Sequence, residues 1–329
     1  LDKKFKRMLV KNRISSTIRH ILKSIRAVSN IPKQLKEAEK FDGYIADFLN
    51  GKIDKFTAIP MKPQLVGQKI FWQFWHQGID ENTSKIVVEC LNSVKKNSNG
   101  YQVILLTNET VWDYVSLPNF VFEKFSKNRF NYANLSDIVR LYLLSAYGGV
   151  WLDATIYLTN TIKEKMLNED FFAFQRSEIP LSDAKIFRKF DPLYFSWNEN
   201  FQIKMLNSFI IAKPNNKIIA DLLSILLQYW KNEKKAGHYF FFQILFNRMI
   251  LNDEWKNLNC KIVGDTDCHK LQIVALDKFD HKIFDEIKSK SNIHKLTYRF
   301  DRFNQIPVGS FFDFIANGKL KQEEKTNVK

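Results

Sequence analysis

Three side chains have the types and spacing to grip a charged, hydroxylated ligand: Asp137, Arg140 and Asp153. On a helix, Asp137 and Arg140 are three apart and share a face. Carboxylates accept hydrogen bonds from sugar hydroxyls, and a planar guanidinium bridges two phosphate oxygens. Together they can hold a sugar and a diphosphate. Taken singly, an Asp–Arg pair at this spacing is usually a solvated ion pair, and an Asp after a strand is usually a turn residue. All the parts falling within about twenty residues carries the ligand reading.

The surrounding sequence must place these groups. Leu135, Ile138, Val139 and Tyr142 recur at spacings of three and four, which predicts a helix over 133–147. Leu141, Leu143 and Leu144 cover its other sides, so the helix is expected to be largely buried. Gly148 is a natural stop. Val150-Trp151-Leu152 then reads as a short buried strand with Asp153 at its carboxyl end, the ligand edge of an open α/β sheet.

Strands are expected at 69–74, 101–107, 119–125, 171–175, 208–212, 261–263 and 294–297, and helices at 83–96, 218–230 and 239–251. This alternation predicts an α/β fold: a mixed, mainly parallel Rossmann-like sheet with helices on both faces, preceded by N-terminal helices. The expected divisions are a basic amphipathic helix over 1–30, a helix and connector over 31–66, a sheet domain over 67–318 and a polar tail over 319–329. Ile31-Pro32 is expected to break the first helix from the second, which runs from Lys33 to Leu49.

Composition narrows the class. The 329 residues can bury a large core, and the net charge is +15. Residues 3 to 26 hold nine Lys and Arg and no acid, interleaved with Ile14, Ile18, Ile21, Leu22 and Ile25 at helical spacing. That pattern suits an anionic membrane surface. A nucleic-acid arm is the rival, but nothing downstream resembles a nucleic-acid reader, so nucleic acid is not the expected partner. No apolar run approaches the ~20 residues of a membrane span, and no secretory signal is visible. Cys90, Cys260 and Cys268 leave one thiol over from any pairing, which fits a reducing, cytoplasmic setting. Cys260, Cys268 and His269 match no zinc spacing.

The string Leu135-Ser-Asp-Ile-Val-Arg-Leu, followed by Tyr147-Gly-Gly-Val-Trp-Leu-Asp, resembles the core of glycosyltransferases with Asp-x-Asp regions. These include the family 32 mannosyl- and galactosyltransferases and the clostridial glucosylating toxins. The resemblance is greatest to the bacterial capsular polysaccharide synthesis proteins. Lys69-Ile-Phe-Trp-Gln-Phe-Trp-His-Gln-Gly78 resembles their opening strand, and Cys90-Leu-Asn-Ser-Val94 lies in the helix after it. The resemblance is strong over 69–160, weaker to about 300 and absent before 60.

It implies a GT-A type fold and a retaining transfer of a sugar from a nucleotide diphosphate donor, UDP-hexose or UDP-N-acetylhexosamine. The acceptor would be a lipid-linked capsular or exopolysaccharide chain on the inner face of the cell membrane. By the same resemblance Trp72 stacks on the base and Gln73 bonds base or ribose. Asp137 and Arg140 grip the sugar, with Arg140 also near the phosphates. Asp153 is the first Asp of the Asp-x-Asp element.

Thr155 stands where the second Asp would be, and that residue is usually the direct Mn2+ or Mg2+ ligand. Three routes stay open. Thr155 ligates weakly, a C-terminal residue such as His294 or Asp301 substitutes, or Arg140 and Lys295 take over part of the charge. A Mn2+ or Mg2+ dependence is still expected. By position, His294 or Lys295 could close over the diphosphate, with Lys295 the donor-binding candidate, and His238 is the candidate on the acceptor side; His76 is undecided between roles. The missing carboxylate also leaves room for a non-catalytic sugar-binding or scaffold protein, and the basic arm for a nucleic-acid binder.

Overall fold

The computed structural model describes residues 30–127, 130–299 and 306–319. The basic segment 3–26 and Asp301 lie outside the described residues. Seven strands are present among those described: β1 (Ile70–Phe74), β2 (Gln102–Leu106), β3 (Gly149–Leu152), β4 (Ile156–Leu158), β5 (Phe171–Gln175), β6 (Met205–Ala212) and β7 (Ile293–Lys295). The helices are α1 (30–49), then α2 (Lys85–Lys96), α3 (Asn119–Ser126), α4 (Tyr132–Ala146), α5 (Glu164–Leu167), α6 (Ala184–Phe190), α7 (Lys217–Asn232), α8 (Phe241–Ile250), α9 (Asp253–Lys256), α10 (Lys270–Ile273), α11 (His281–Lys290) and α12 (Phe311–Ala316).

The central sheet has the order β2-β1-β3-β6-β5. β1 runs parallel to β2 and β3, and β6 runs antiparallel to both β3 and β5. Four of the five strands therefore share one direction and β6 opposes them, a mixed, mainly parallel sheet. Side-chain alternation splits β3 cleanly. Trp151 joins the core formed with α1, α4, α7 and α8, while Val150 and Leu152 face a second core with Val94 of α2. Helices thus cover both faces. β4 and β7 form a separate antiparallel pair just beyond Asp153.

α4 starts where its sequence provides a cap. Asn131 accepts from the Asn134 N–H, and the Asn134 side chain accepts from the Asn131 N–H. Its end is fixed by Gly148 and Gly149, with φ of +73° and +100°. A Cβ on Gly149 would stand 2.6 Å from the Ile70 carbonyl oxygen, so the close approach of β3 to β1 requires glycine.

Several expectations are corrected. Residues 119–125 are helical: α3 follows Pro118 and turns Val121 into the core, so tertiary packing overrides the strand preference of its aromatic residues. Lys261–Val263 is not a strand. It gives β5, the sheet's edge strand, one backbone bond, from the Gln175 N–H to the Val263 carbonyl at 2.9 Å. β4 was not expected, because three residues carry no periodic signal. Among the described residues the second helix takes in 30–32 as well as the expected Lys33 to Leu49, with Pro32 in the first described turn, where a missing N–H costs little; the expected break from the first helix falls on residues outside those described. Phe41, Ile45 and Phe48 of α1 pack into the same core as Ile70 and Trp72 of β1.

Gly149→Ala should lower stability by about 1–3 kcal/mol, from positive-φ strain and the clash with β1. Urea unfolding measures it, and a wild-type midpoint in the variant would contradict this account of the β1–β3 contact.

Candidate functional site

The carboxyl end of β3, the neighbouring start of β6, the inner face of α4 and the end of β7 meet at one cluster of charge. Arg140 lies at its base, with its side chain 4% exposed. Its Nη1 is 3.1 Å from Asp137 Oδ1 and donates to the Asn207 carbonyl at 2.9 Å. Its Nη2 donates to Ser136 Oγ at 3.2 Å and to Asp153 Oδ1 at 3.4 Å. The guanidinium carbon also lies 5.2 Å from the Trp151 ring and 5.5 Å from the Phe242 ring. Aromatic faces hold the cation where water is excluded.

Asp153 is more open, with its side chain 23% exposed. Trp151 Nε1 donates to its Oδ1 at 2.8 Å, and Lys295 Nζ donates to its Oδ2 at 3.1 Å. Lys295 Nζ also donates to Thr155 Oγ1 at 2.6 Å. The cluster therefore opens outward through Asp153 and Lys295, while Arg140 braces it from below.

The two carboxyls sit in unlike environments. Burial pushes the Asp137 pKa up to about 6 despite the opposing pull of Arg140, and the nearby Asp153 charge adds to the rise. Burial would also raise Asp153, but Lys295 and Arg140, with hydrogen bonds from Ser208 and Trp151, outweigh it and hold this carboxyl well below the usual range. Asp153 is thus a fixed anion, whereas Asp137 titrates near neutrality.

The remaining candidates separate. The base-stacking assignment of Trp72 is corrected: the ring is fully buried, and its Nε1 donates to the Gly148 carbonyl at 2.8 Å. It serves the core beside Tyr114 and Tyr147. Gln73 is 1% exposed, and its Nε2 has no hydrogen-bond partner among the described residues. The aromatic group at the sheet's open edge is instead Trp75, edge-on to Tyr298 at 5.4 Å, beside His76 stacked on Tyr132 at 3.8 Å. Trp75 Nε1 has no hydrogen-bond partner among the described residues.

His294 is fully buried, with Nε2 at 3.1 Å from Thr159 Oγ1. Neighbouring strand residues point to opposite faces, so Lys295 reaches Asp153 and His294 turns away from it. His238 is not brought to the cluster either. Its Nε2 meets Asn30 Oδ1 at 3.0 Å and its Nδ1 accepts the Phe240 N–H at 3.0 Å, tying α8 to α1.

As a metal site the group fits poorly. One carboxylate and one hydroxyl face each other, and Lys295 Nζ is bound to both. Among the described residues no three His, Cys, Asp or Glu side chains converge to hold an ion. The thiols of Cys90, Cys260 and Cys268 are free.

Asn207, Ser208 and Trp75 were missed by sequence reasoning. Trp75 had a usable signal, an aromatic directly after a buried strand, at its carboxyl end. Asn207 and Ser208 had none, because only the antiparallel pairing of β6 with β3 brings them in.

Sheet and cluster together define an α/β protein with a charged cluster at the carboxyl edge of its parallel strands, the edge at which open α/β sheets bind ligands. The chain belongs to the family of capsular polysaccharide synthesis proteins, whose sequence model matches residues 22–315. The match begins well before residue 60, where the resemblance was expected to stop. Among curated relatives, the chain is 25% identical over 269 residues to an O-glycosyltransferase, braB, of Annulohypoxylon truncatum. The alignment covers 78% of this chain but only 59% of that relative, so the chain spans about three-fifths of its length. Among solved structures, the PaToxG glycosyltransferase aligns over 89% of this chain and 95% of its own, at 14% identity and a TM-score of 0.37. No described helix is long and apolar enough to cross a membrane.

Folded Asp137 holds its proton up to about pH 6, whereas the unfolded group titrates near 3.8. The native state therefore binds more protons in that window, and stability from this group falls as pH rises through it. Asp137→Asn removes the titration. Relative to wild type, its unfolding free energy should rise by about 1–3 kcal/mol between pH 4 and pH 7. Equal pH slopes for the two proteins would contradict the raised pKa.

Proposed function

We propose that the chain is a glycosyltransferase that takes a sugar from a nucleotide diphosphate donor. The observation that carries this reading is the Asp137–Arg140–Asp153–Lys295 cluster at the sheet's carboxyl edge. Membership of a capsular polysaccharide family and the relative named an O-glycosyltransferase support it.

In this reading the base lies against Trp75, and its diphosphate meets the ammonium of Lys295. Asp153 accepts hydrogen bonds from the sugar or ribose hydroxyls. Arg140 acts as a positioning residue, since its burial keeps it from the ligand and its bonds fix both carboxylates. The acceptor hydroxyl attacks the anomeric carbon, the bond to the diphosphate oxygen breaks, the hydroxyl proton passes to the departing diphosphate, and the developing negative charge is met by a cation already in place. The finer reading is a UDP-hexose or UDP-N-acetylhexosamine donor, a retaining transfer and a lipid-linked polysaccharide acceptor. Residues 3–26 would bring the protein to the anionic inner face of the cell membrane, where such an acceptor lies.

Calorimetry with UDP, GDP and their sugar conjugates tests the donor site. Wild type should bind at least one of them. Asp153→Ala should reduce donor hydrolysis about 100-fold or more, and Trp75→Ala should weaken binding by about 5- to 100-fold through loss of base stacking. Binding of none, or hydrolysis unchanged in Asp153→Ala, would sink the reading, including its choice over a non-catalytic scaffold.

Deleting residues 1–26 should leave nucleotide binding intact while weakening sedimentation with phosphatidylglycerol vesicles. Undiminished vesicle binding would remove the membrane role from this segment. Steeply salt-dependent binding to duplex DNA would instead support the nucleic-acid arm.

A further inference from the structure

We propose that Lys295 is a built-in cation of the donor site, so that the diphosphate is bound and neutralised without a divalent metal. This rests on the nucleotide-sugar reading above and goes beyond it in saying what replaces the ion.

Asp153 and Thr155 are the i and i+2 side chains that would hold a divalent ion. Lys295 already bridges them, at 3.1 Å to Asp153 Oδ2 and 2.6 Å to Thr155 Oγ1. The hydroxyl at 155 matters for charge. With one carboxylate, one ammonium gives a balanced pair. A divalent cation would find one anionic protein ligand here, beside an ammonium that repels it and already holds both oxygens, and would draw its remaining ligands from the diphosphate and water. A carboxylate at 155 would reverse that balance. The sequence therefore carries a matched exchange, the loss of one anion together with the presence of one fixed cation.

The ammonium is held in register by the backbone. Lys295 pairs with Ile156 across the β4–β7 ladder, and the Leu296 N–H donates to the Thr155 carbonyl at 2.9 Å. The strand that carries the cation is thus bonded directly to the turn that carries its two partners. Lys and Asp side chains here are 22% and 23% exposed, so they face the open side of the cluster. An ammonium has three N–H donors. Two reach Asp153 and Thr155, and the third is directed to a phosphate oxygen of the donor. His294, the candidate C-terminal ligand among the described residues, faces away from Asp153 and bonds Thr159.

The test is calorimetric titration of the full chain with UDP and with GDP, first in EDTA and then in excess MnCl2. Affinity for the preferred nucleotide should be the same within about threefold in both buffers. Lys295→Met should weaken binding by about 10-fold or more, as expected for loss of a charge-assisted contact, and Lys295→Arg should recover part of it. Thermal melting of Lys295→Met shows whether the variant is folded. If it is not, the comparison of buffers on the wild type decides alone. Binding that vanishes in EDTA and returns with Mn2+ would overturn the inference while leaving the donor-site reading intact. So would wild-type affinity in a folded Lys295→Met. Absence of binding in both buffers would overturn the donor-site reading, and this inference with it.

Discussion

The buried guanidinium of Arg140 is the interaction on which the site depends. It joins α4, through Ser136 and Asp137, to β3, through Asp153, and to β6, through the Asn207 carbonyl. Removing one member of such a buried set typically costs about 3–5 kcal/mol, because an uncompensated charge remains. Trp151 ties two of its members together, donating to Asp153 while its ring lies beside the guanidinium. The geometry of the open carboxylate is therefore set from beneath, by groups that a ligand need not touch.

From this base the charge is layered. Asp137 is deep, with its pKa raised to about 6, Arg140 is central, and Asp153 and Lys295 form the outer pair. The outer pair alone is open enough to exchange partners with a ligand. An incoming diphosphate would meet an ammonium already oriented, with little reorganisation, which is how fixed charge lowers a barrier most effectively. The sheet supports this by ending β3 at the ligand edge and by opposing β6 to it, so that Asn207 and Ser208 arrive beside Asp153.

Much of this was legible in the sequence where the information is local. The Asp137–Arg140 spacing, the double glycine and the short strand ending on Asp153 lie close together, and helix and strand periodicities resolve them. Lys295 is 142 residues from Asp153; resemblance brought it to the donor, but no spacing could show its bond to Asp153. The depth of Arg140 was hidden too, because an i,i+3 ion pair looks the same in sequence whether solvated or buried. Trp72 and Trp75 show the limit of strand patterns. Both are aromatic and nearby, yet one faces the core and the other stands past the strand's end, where the ligand edge begins. α3 was misread for a different reason: its Phe and Val residues suit a strand, and only packing of Val121 in the core decides otherwise.

The most direct measurement of the central claim is a crystal structure of the protein soaked with a nucleotide sugar. The account predicts density for the diphosphate within hydrogen-bonding distance of Lys295 Nζ, the base against Trp75, and the sugar or ribose on Asp153. Arg140 should keep its bonds to Asp137 and Asn207. Ordered nucleotide sugar bound elsewhere on the protein, with the Asp153–Lys295 pair untouched, would contradict it.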